Sequence, residues 1–215
     1  MADERTGRTM SFRDMVTNVP GLCRAAAAQN VQLTYAMWQI AASILHETPV
    51  RPLRHIMLLG VTRKVGTSFV ARALAESLRF GEKRVLIIEV LSEPCEADEL
   101  LRLLTEPVLP PPEQPMKLGV GGSEFMSLIA FGPENFEALT RRLAERFDLV
   151  IWDMPPVSEA TPTVTAARLM DDVLLVVADA HTSRRAAAYV ADTLRDNGGH
   201  MLGVVMNRVR GIRPQ

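Results

Sequence analysis

Between His55 and Val209, short apolar runs alternate with segments of helical period, and this alternation restricts the fold more than any other feature of the chain. The runs are His55–Val61, Arg84–Val90, Glu124–Phe131, Leu149–Met154, Val173–Ala180 and Leu202–Val209. Most are apolar at consecutive positions, which marks strands buried on both faces, as in a parallel sheet. Between them Ser68–Phe80, Glu96–Leu104, Pro133–Arg146, Thr163–Met170 and Ser183–Asn197 read as crossover helices. Strand, helix, strand, repeated, predicts an α/β fold of three layers: a mainly parallel sheet with helices on both faces. Pro107–Pro115 holds five of the 14 prolines and reads as an extended surface loop.

Residues 1–50 carry a different signal. Ser11–Leu22 and Ala25–Leu45 both read as helical, and Pro49 and Pro52 punctuate the chain ahead of the first apolar run. The expected division is an N-terminal helical appendage, residues 1–50, and one α/β domain, residues 51–215. A chain of 215 residues with 47% apolar content can bury a full core unaided. Cys23 and Cys95 cannot make a disulfide framework, and no Cys/His cluster suggests a structural metal, so a reducing cytoplasm is the expected compartment.

Charge narrows the partners. Twenty-four basic against 25 acidic residues give a net charge of −1, with no broad electrostatic reason to bind nucleic acid. Arg208, Arg210 and Arg213 read as a solvated tail. Met1–Met10 is charged and lacks the apolar core of a signal peptide. The longest nearly uncharged stretch, Val31–Leu45, falls short of the ~20 apolar residues that span a bilayer, so direct membrane insertion is not expected.

In open α/β sheets ligands sit beyond the carboxyl ends of the strands, so the residues just after each run carry the functional signal. After the first run comes Gly60-Val-Thr-Arg-Lys-Val-Gly66-Thr67-Ser68, leading into a helix. Strand, glycine loop, then Thr-Ser at a helix start is the layout of a phosphate cradle, where backbone N–H groups and the helix end favour an anion. The match to a P-loop is incomplete. Five residues rather than four separate the glycines, and Thr67 stands where the lysine belongs, while Ser68 keeps the hydroxyl that would meet Mg²⁺. Only Lys64, Lys83 and Lys117 are lysines, and Lys64 alone lies near enough in sequence to substitute. A turn capped by Thr67 or Ser68, with no ligand, explains the same residues. The fourth run ends in Asp153-Met-Pro-Pro. Asp153 could hold Mg²⁺ at the same strand end, or simply form a turn. Asn207, at the end of the last run, could read a base edge or cap the strand.

Taken in order, these elements resemble the cytoplasmic domain of bacterial tyrosine kinases (BY-kinases), members of the deviant P-loop ATPases that include MinD and ParA. The resemblance runs from about Arg54 to Val209. It rests on Asp153-Met-Pro-Pro-Val157, on Asp172-Val-Leu-Leu-Val-Val-Ala-Asp-Ala-His-Thr-Ser-Arg-Arg185 and on Leu202-Gly-Val-Val-Met-Asn-Arg-Val209. It implies a three-layer P-loop NTPase-like fold, with ATP or ADP on Lys64, Val65, Gly66, Thr67, Ser68 and Asn207, and Mg²⁺ on Ser68, Glu89 and Asp153. It also implies work beside an inner-membrane polysaccharide co-polymerase, peripheral to the membrane through that partner, and brings a homo-oligomer into consideration.

The departures matter equally. The family's Gly-Lys-Ser/Thr is Gly66-Thr67-Ser68 here, and its Asp-x-Asp after the second strand is Glu89-Val90-Leu91. The family's C-terminal tyrosine cluster has no counterpart in Gly211–Gln215, Tyr35 and Tyr189 being the only tyrosines, and its Arg-rich oligomerisation motif is not recognisable around Tyr35–Ala41. No residue is assigned a catalytic role. Three readings are open: a kinase-like pseudoenzyme serving surface polysaccharide assembly, with weak nucleotide binding or no cofactor at all; an active Mg-ATP-dependent tyrosine autokinase or ATPase; and a MinD/ParA-like positioning ATPase. The segment Val31–Leu45, with Met37, Trp38 and Ile40, and the Pro107–Pro115 loop are the expected partner surfaces, unless the former covers the sheet or a helix face.

Overall fold

The computed structural model describes residues 27–47, 53–79, 81–91, 115–130, 133–157, 161–179 and 181–208. Its elements are, in chain order, α1 (Ala27–Glu47), β1 (His55–Gly60), α2 (Thr67–Arg79), β2 (Val85–Leu91), β3 (Met116–Gly121), α3 (Gly122–Ala130), α4 (Pro133–Arg146), β4 (Leu149–Met154), α5 (Thr161–Ala167), β5 (Asp172–Ala178), α6 (Arg184–Asp196) and β6 (Met201–Asn207). Six strands form one sheet in the order β3-β2-β4-β1-β5-β6. Every neighbouring pair is parallel, as the consecutive apolar runs predict.

Two apolar clusters flank the sheet. On one face α1 and α2 pack Met37, Ala41, Ile44, Val70 and Leu74 against Ile56, Leu58, Ile87 and Ile151. On the other, α3, α4, α5 and α6 cover Met57, Leu59, Ile88 and Trp152. Alternation along each strand sends successive side chains to opposite clusters, which is why β1, β4 and β5 are buried at every position. The helix expected within residues 1–50 thus shares a core with α2 through Met37, Ala41 and Ile44.

Aspartates fasten two strand starts. The Asp171 carboxylate accepts from the N–H groups of Arg54 and His55, both at 2.7 Å. Asp148 accepts from the Arg84 N–H at 2.8 Å and pairs with its guanidinium at 3.2 Å. Both lie at the amino ends of β1 and β2, opposite the ends where the candidate ligand loop lies.

One expected strand is a helix. Glu124–Phe131 reads as a strand by apolar density, yet Gly122–Ala130 is helical and Met116–Gly121 supplies the edge strand instead. The spacing explains it: Phe125 and Ile129 are four residues apart and both buried, with Leu128 packed beside them, a helical stripe. The true strand carries Gly119 and Gly121, which dilute its apolar pattern. The expected helix Thr163–Met170 begins earlier, at Thr161, and ends at Ala167. The segments Ser11–Leu22 and Glu96–Leu104, most of Pro107–Pro115, both cysteines, Arg210 and Arg213 lie outside the described residues. Among those described, no helix is long and apolar enough to cross a membrane.

Candidate functional site

A cleft of about 320 Å³ opens at the carboxyl end of the sheet. Its wall includes Thr62, Lys64, Gly66, Thr67, Ser68 and Phe69 from the loop and α2, Glu89 and Leu91 from β2, and Asp153 with Pro155 and Pro156 from the end of β4. Ser68, Glu89 and Asp153, separated by 85 residues of chain from first to last, therefore face one space.

The loop owes its shape to two glycines. Gly60 lets it fold back closely: a Cβ there would sit 2.7 Å from Val65 Cγ2 and 2.8 Å from Thr67 Oγ1. Gly66 adopts φ +93°, open to glycine and strained for other residues, and a Cβ there would strike the Asn207 amide. Lys64 also lies in the left-handed region, at φ 60°, and its side chain is exposed on the lip of the cleft. Val65 is buried beneath the loop. Helix α2 starts as the Gly66 carbonyl accepts from the Val70 N–H at 3.0 Å. The N–H groups of its first turn, Thr67 to Phe69, have no helical carbonyl ahead of them, which gives this end its affinity for anions.

Asn207 lies outside the cleft wall. Its Nδ2 donates to the Val65 carbonyl at 2.8 Å and its Oδ1 accepts from the Arg208 N–H at 2.8 Å, so β6 is tied to the loop's underside. Of the residues expected on nucleotide, Lys64, Gly66, Thr67 and Ser68 share the cleft, while Val65 and Asn207 support it from behind.

The acidic residues meet through sheet register. Glu89 on β2 and Asp153 on β4 are direct partners on adjacent parallel strands, and so about 4.8 Å apart along the sheet. Both belong to the positions that face α2. Asp153 is almost fully buried, 4% exposed. Burial pushes its carboxyl up to about 6, with the neighbouring Glu89 adding to the rise; a hydrogen bond from Ser68, and Lys117 and Arg72, pull the other way. Glu89 is engaged elsewhere: Lys117 Nζ lies 2.6 Å from its Oε2. Lys117 reaches it from β3, where Gly119 stands opposite Glu89 and Lys117 opposite Ile87.

Mg²⁺ takes six oxygens in near-octahedral array, commonly one or two carboxylates with phosphates and water. Here one carboxylate is bonded to the Ser68 hydroxyl and the other is neutralised by an ammonium. Among the described residues no group of three or more His, Cys, Asp or Glu side chains could hold a metal ion. As arranged, Ser68 and Asp153 hold each other and Glu89 is held by Lys117, so a divalent cation would have to displace these contacts to use their oxygens. Sequence reasoning missed Lys117 because its strand was placed too late; the alternation of Leu118 and Val120 with Lys117 and Gly119 was the available signal.

A parallel sheet carrying a strand–glycine loop–helix, with an Asp at the adjoining strand end, defines the P-loop NTPase-like class, and the solved structures agree. MinD from Aquifex aeolicus matches 73% of the chain and 70% of its own, at TM-score 0.53 and 17% identity. Cobyrinic acid a,c-diamide synthase from Mycobacterium smegmatis, with bound ATP analogue and magnesium, matches 72% of each chain at TM-score 0.51 and 20% identity.

Within that class the chain resembles bacterial tyrosine kinase domains. It is 26% identical over 171 residues to the tyrosine-protein kinase ptk of Acinetobacter johnsonii, covering 72% of this chain. It spans only 23% of that kinase's length. The VpsO kinase domain matches 85% of this chain and 98% of its own, at TM-score 0.63 and 21% identity. The kinase domain of Escherichia coli tyrosine kinase ETK matches 80% and 74%, at TM-score 0.61 and 18% identity. These structural likenesses establish the fold. No family model matches the chain.

Proposed function

We propose that this protein is a kinase-like pseudoenzyme, a regulatory or scaffold component of surface (exo- or capsular) polysaccharide biosynthesis and export that binds nucleotide weakly or not at all. The observation that carries this reading is Thr67 at the start of α2, in the place of the phosphate-binding lysine. None of the three lysines stands at the position of that ammonium: Lys64 lies three residues before it, exposed at the lip of the cleft, Lys117 is held by Glu89, and Lys83 precedes the amino end of β2. That charge neutralises the transferred phosphoryl group in the transition state, and its loss is severe for catalysis. The bare helix end still attracts an anion, which supports residual nucleotide affinity. The bound ATP analogue and magnesium of the diamide synthase support a nucleotide-shaped cleft, though not this chain's use of it.

In this reading the protein works from the cytoplasm and is recruited to an inner-membrane co-polymerase. The exposed face of α1, with Tyr35 and Trp38 turned outward, is the contact surface, either for that partner or for a second copy. The test is genetic. Deleting the gene should impair export or assembly of a surface polysaccharide, and Thr67→Ala or Asp153→Ala should restore it as well as the unaltered gene does. Loss of polysaccharide in either variant, with the protein folded and abundant, would replace the scaffold with a nucleotide-dependent role.

A second reading, an active autokinase, has one observation in its favour. Asp153 is buried, bonded to Ser68 and pushed up to about 6, the kind of perturbation that gathers at reacting sites.

A further inference from the structure

We infer that Lys117, paired with Glu89 on the cleft wall, is the resident cation of this acidic pair: its ammonium takes the role that a divalent metal ion has in a nucleotide site, and closes the site to Mg²⁺. The inference rests on reading the cleft as a reduced nucleotide site and goes on to name what reduced it. Register sets Glu89 and Asp153 side by side on the face toward α2. Two carboxylates so placed repel each other, and Glu89 does act on Asp153 in that sense. Such a pair is relieved by a proton on one carboxyl or by a positive charge, from a bound metal or from the protein. Here the protein supplies it. Lys117 Nζ contacts Glu89 Oε2 at 2.6 Å and its charge is also felt at Asp153.

The sequence around the lysine is suited to this. Lys117 pairs in register with Ile87, one step short of the site, and Gly119 faces Glu89. On the far side, Leu91 lines the cleft with an apolar group, so no third carboxylate competes for the ammonium at that position. Lys117 is still 44% exposed, and can therefore be replaced without opening the core.

Metal uptake alone, with no nucleotide present, provides the test. Mn²⁺, which is paramagnetic and takes the same oxygen ligands as Mg²⁺, is titrated into the whole chain and free ion is counted by electron paramagnetic resonance. Lys117→Met keeps the aliphatic stem and removes the charge. It should bind one Mn²⁺ at least tenfold more tightly than the unaltered protein, and Lys117→Met combined with Asp153→Asn should lose the gain. Lys117→Gln serves as a second charge-removing variant, and the urea unfolding midpoint of each confirms that it is folded. The inference is overturned if the unaltered protein binds Mn²⁺ as tightly as these variants, or if both folded variants gain nothing. Metal uptake is independent of any polysaccharide phenotype, so either proposal can fail while the other stands.

Discussion

At the scale of single residues, Asp153 shows that the site is held against stability. In the unfolded chain its carboxyl titrates near 3.8; in the fold, burial and the nearby Glu89 carry it to about 6. Between those values the folded protein holds a proton that the unfolded chain has released. Stability therefore falls as pH rises through that window and is lowest above it. A shift of about two units corresponds to about 3 kcal/mol. Asp153→Asn keeps the shape and can still accept from Ser68, so it should stabilise the protein at pH 7 by about 1–3 kcal/mol and flatten this part of the pH dependence. Urea unfolding at pH 7 and pH 4.5 checks both. Gly66 points the other way. Gly66→Ala forces a side chain into φ +93° and onto the Asn207 amide, and should cost about 1–3 kcal/mol in the same assay while loosening the loop.

At the scale of elements, legibility followed apolar density. β1, β2, β4 and β5 were readable because strands covered on both faces are written as near-continuous apolar runs, and β6, the other edge strand, keeps such a run although only Val205 in it is buried. β3 sits at the sheet edge, mixes Lys117, Gly119 and Gly121 with Leu118 and Val120, and so carried too weak a pattern. The neighbouring run, richer in apolar residues, took its place in the reading although its Phe125 and Ile129 repeat with a helical period. Missing β3 meant missing Lys117, whose role depends on register and not on spacing in sequence. Ser68, Glu89 and Asp153 were legible because each lies at or just beyond the end of a readable run. Nothing in sequence showed that Asn207 turns its amide into the loop, since that bond joins residues 142 positions apart.

His55 adds a contact between elements that the strand pattern hides. Its Nδ1 accepts from Trp152 Nε1 at 3.3 Å, which leaves Nε2–H to donate to the Thr140 carbonyl at 3.2 Å, linking β1, β4 and α4. Burial, partly offset by Asp171, holds its pKa below the usual 6.5. The unfolded chain therefore takes up this proton first, so the contribution is complete above pH 6.5 and is lost as pH falls through the folded value. The acid-side loss should shrink in His55→Gln, measured as the slope of unfolding free energy against pH below 6.5, and an unchanged slope would assign that loss to other groups.

At the scale of the whole molecule, a kinase-like fold is kept while, in the proposed reading, its phosphate chemistry is reduced. Restoring the missing charge tests whether the loop still wraps a phosphate: Thr67→Lys should tighten ATP at least tenfold by calorimetry. Micromolar ATP affinity in the unaltered protein, unchanged by that substitution, would show that the lysine's absence is not what limits the site. The most direct measurement is phosphotyrosine content after incubation with Mg-ATP, mapped by peptide. The chain has two tyrosines, Tyr35 on α1 and Tyr189 on α6, each within a helix and each more than half exposed. A pseudoenzyme leaves both unmodified. Robust incorporation at Tyr35, abolished by Asp153→Ala, would contradict the pseudoenzyme reading and make this cleft an active kinase site.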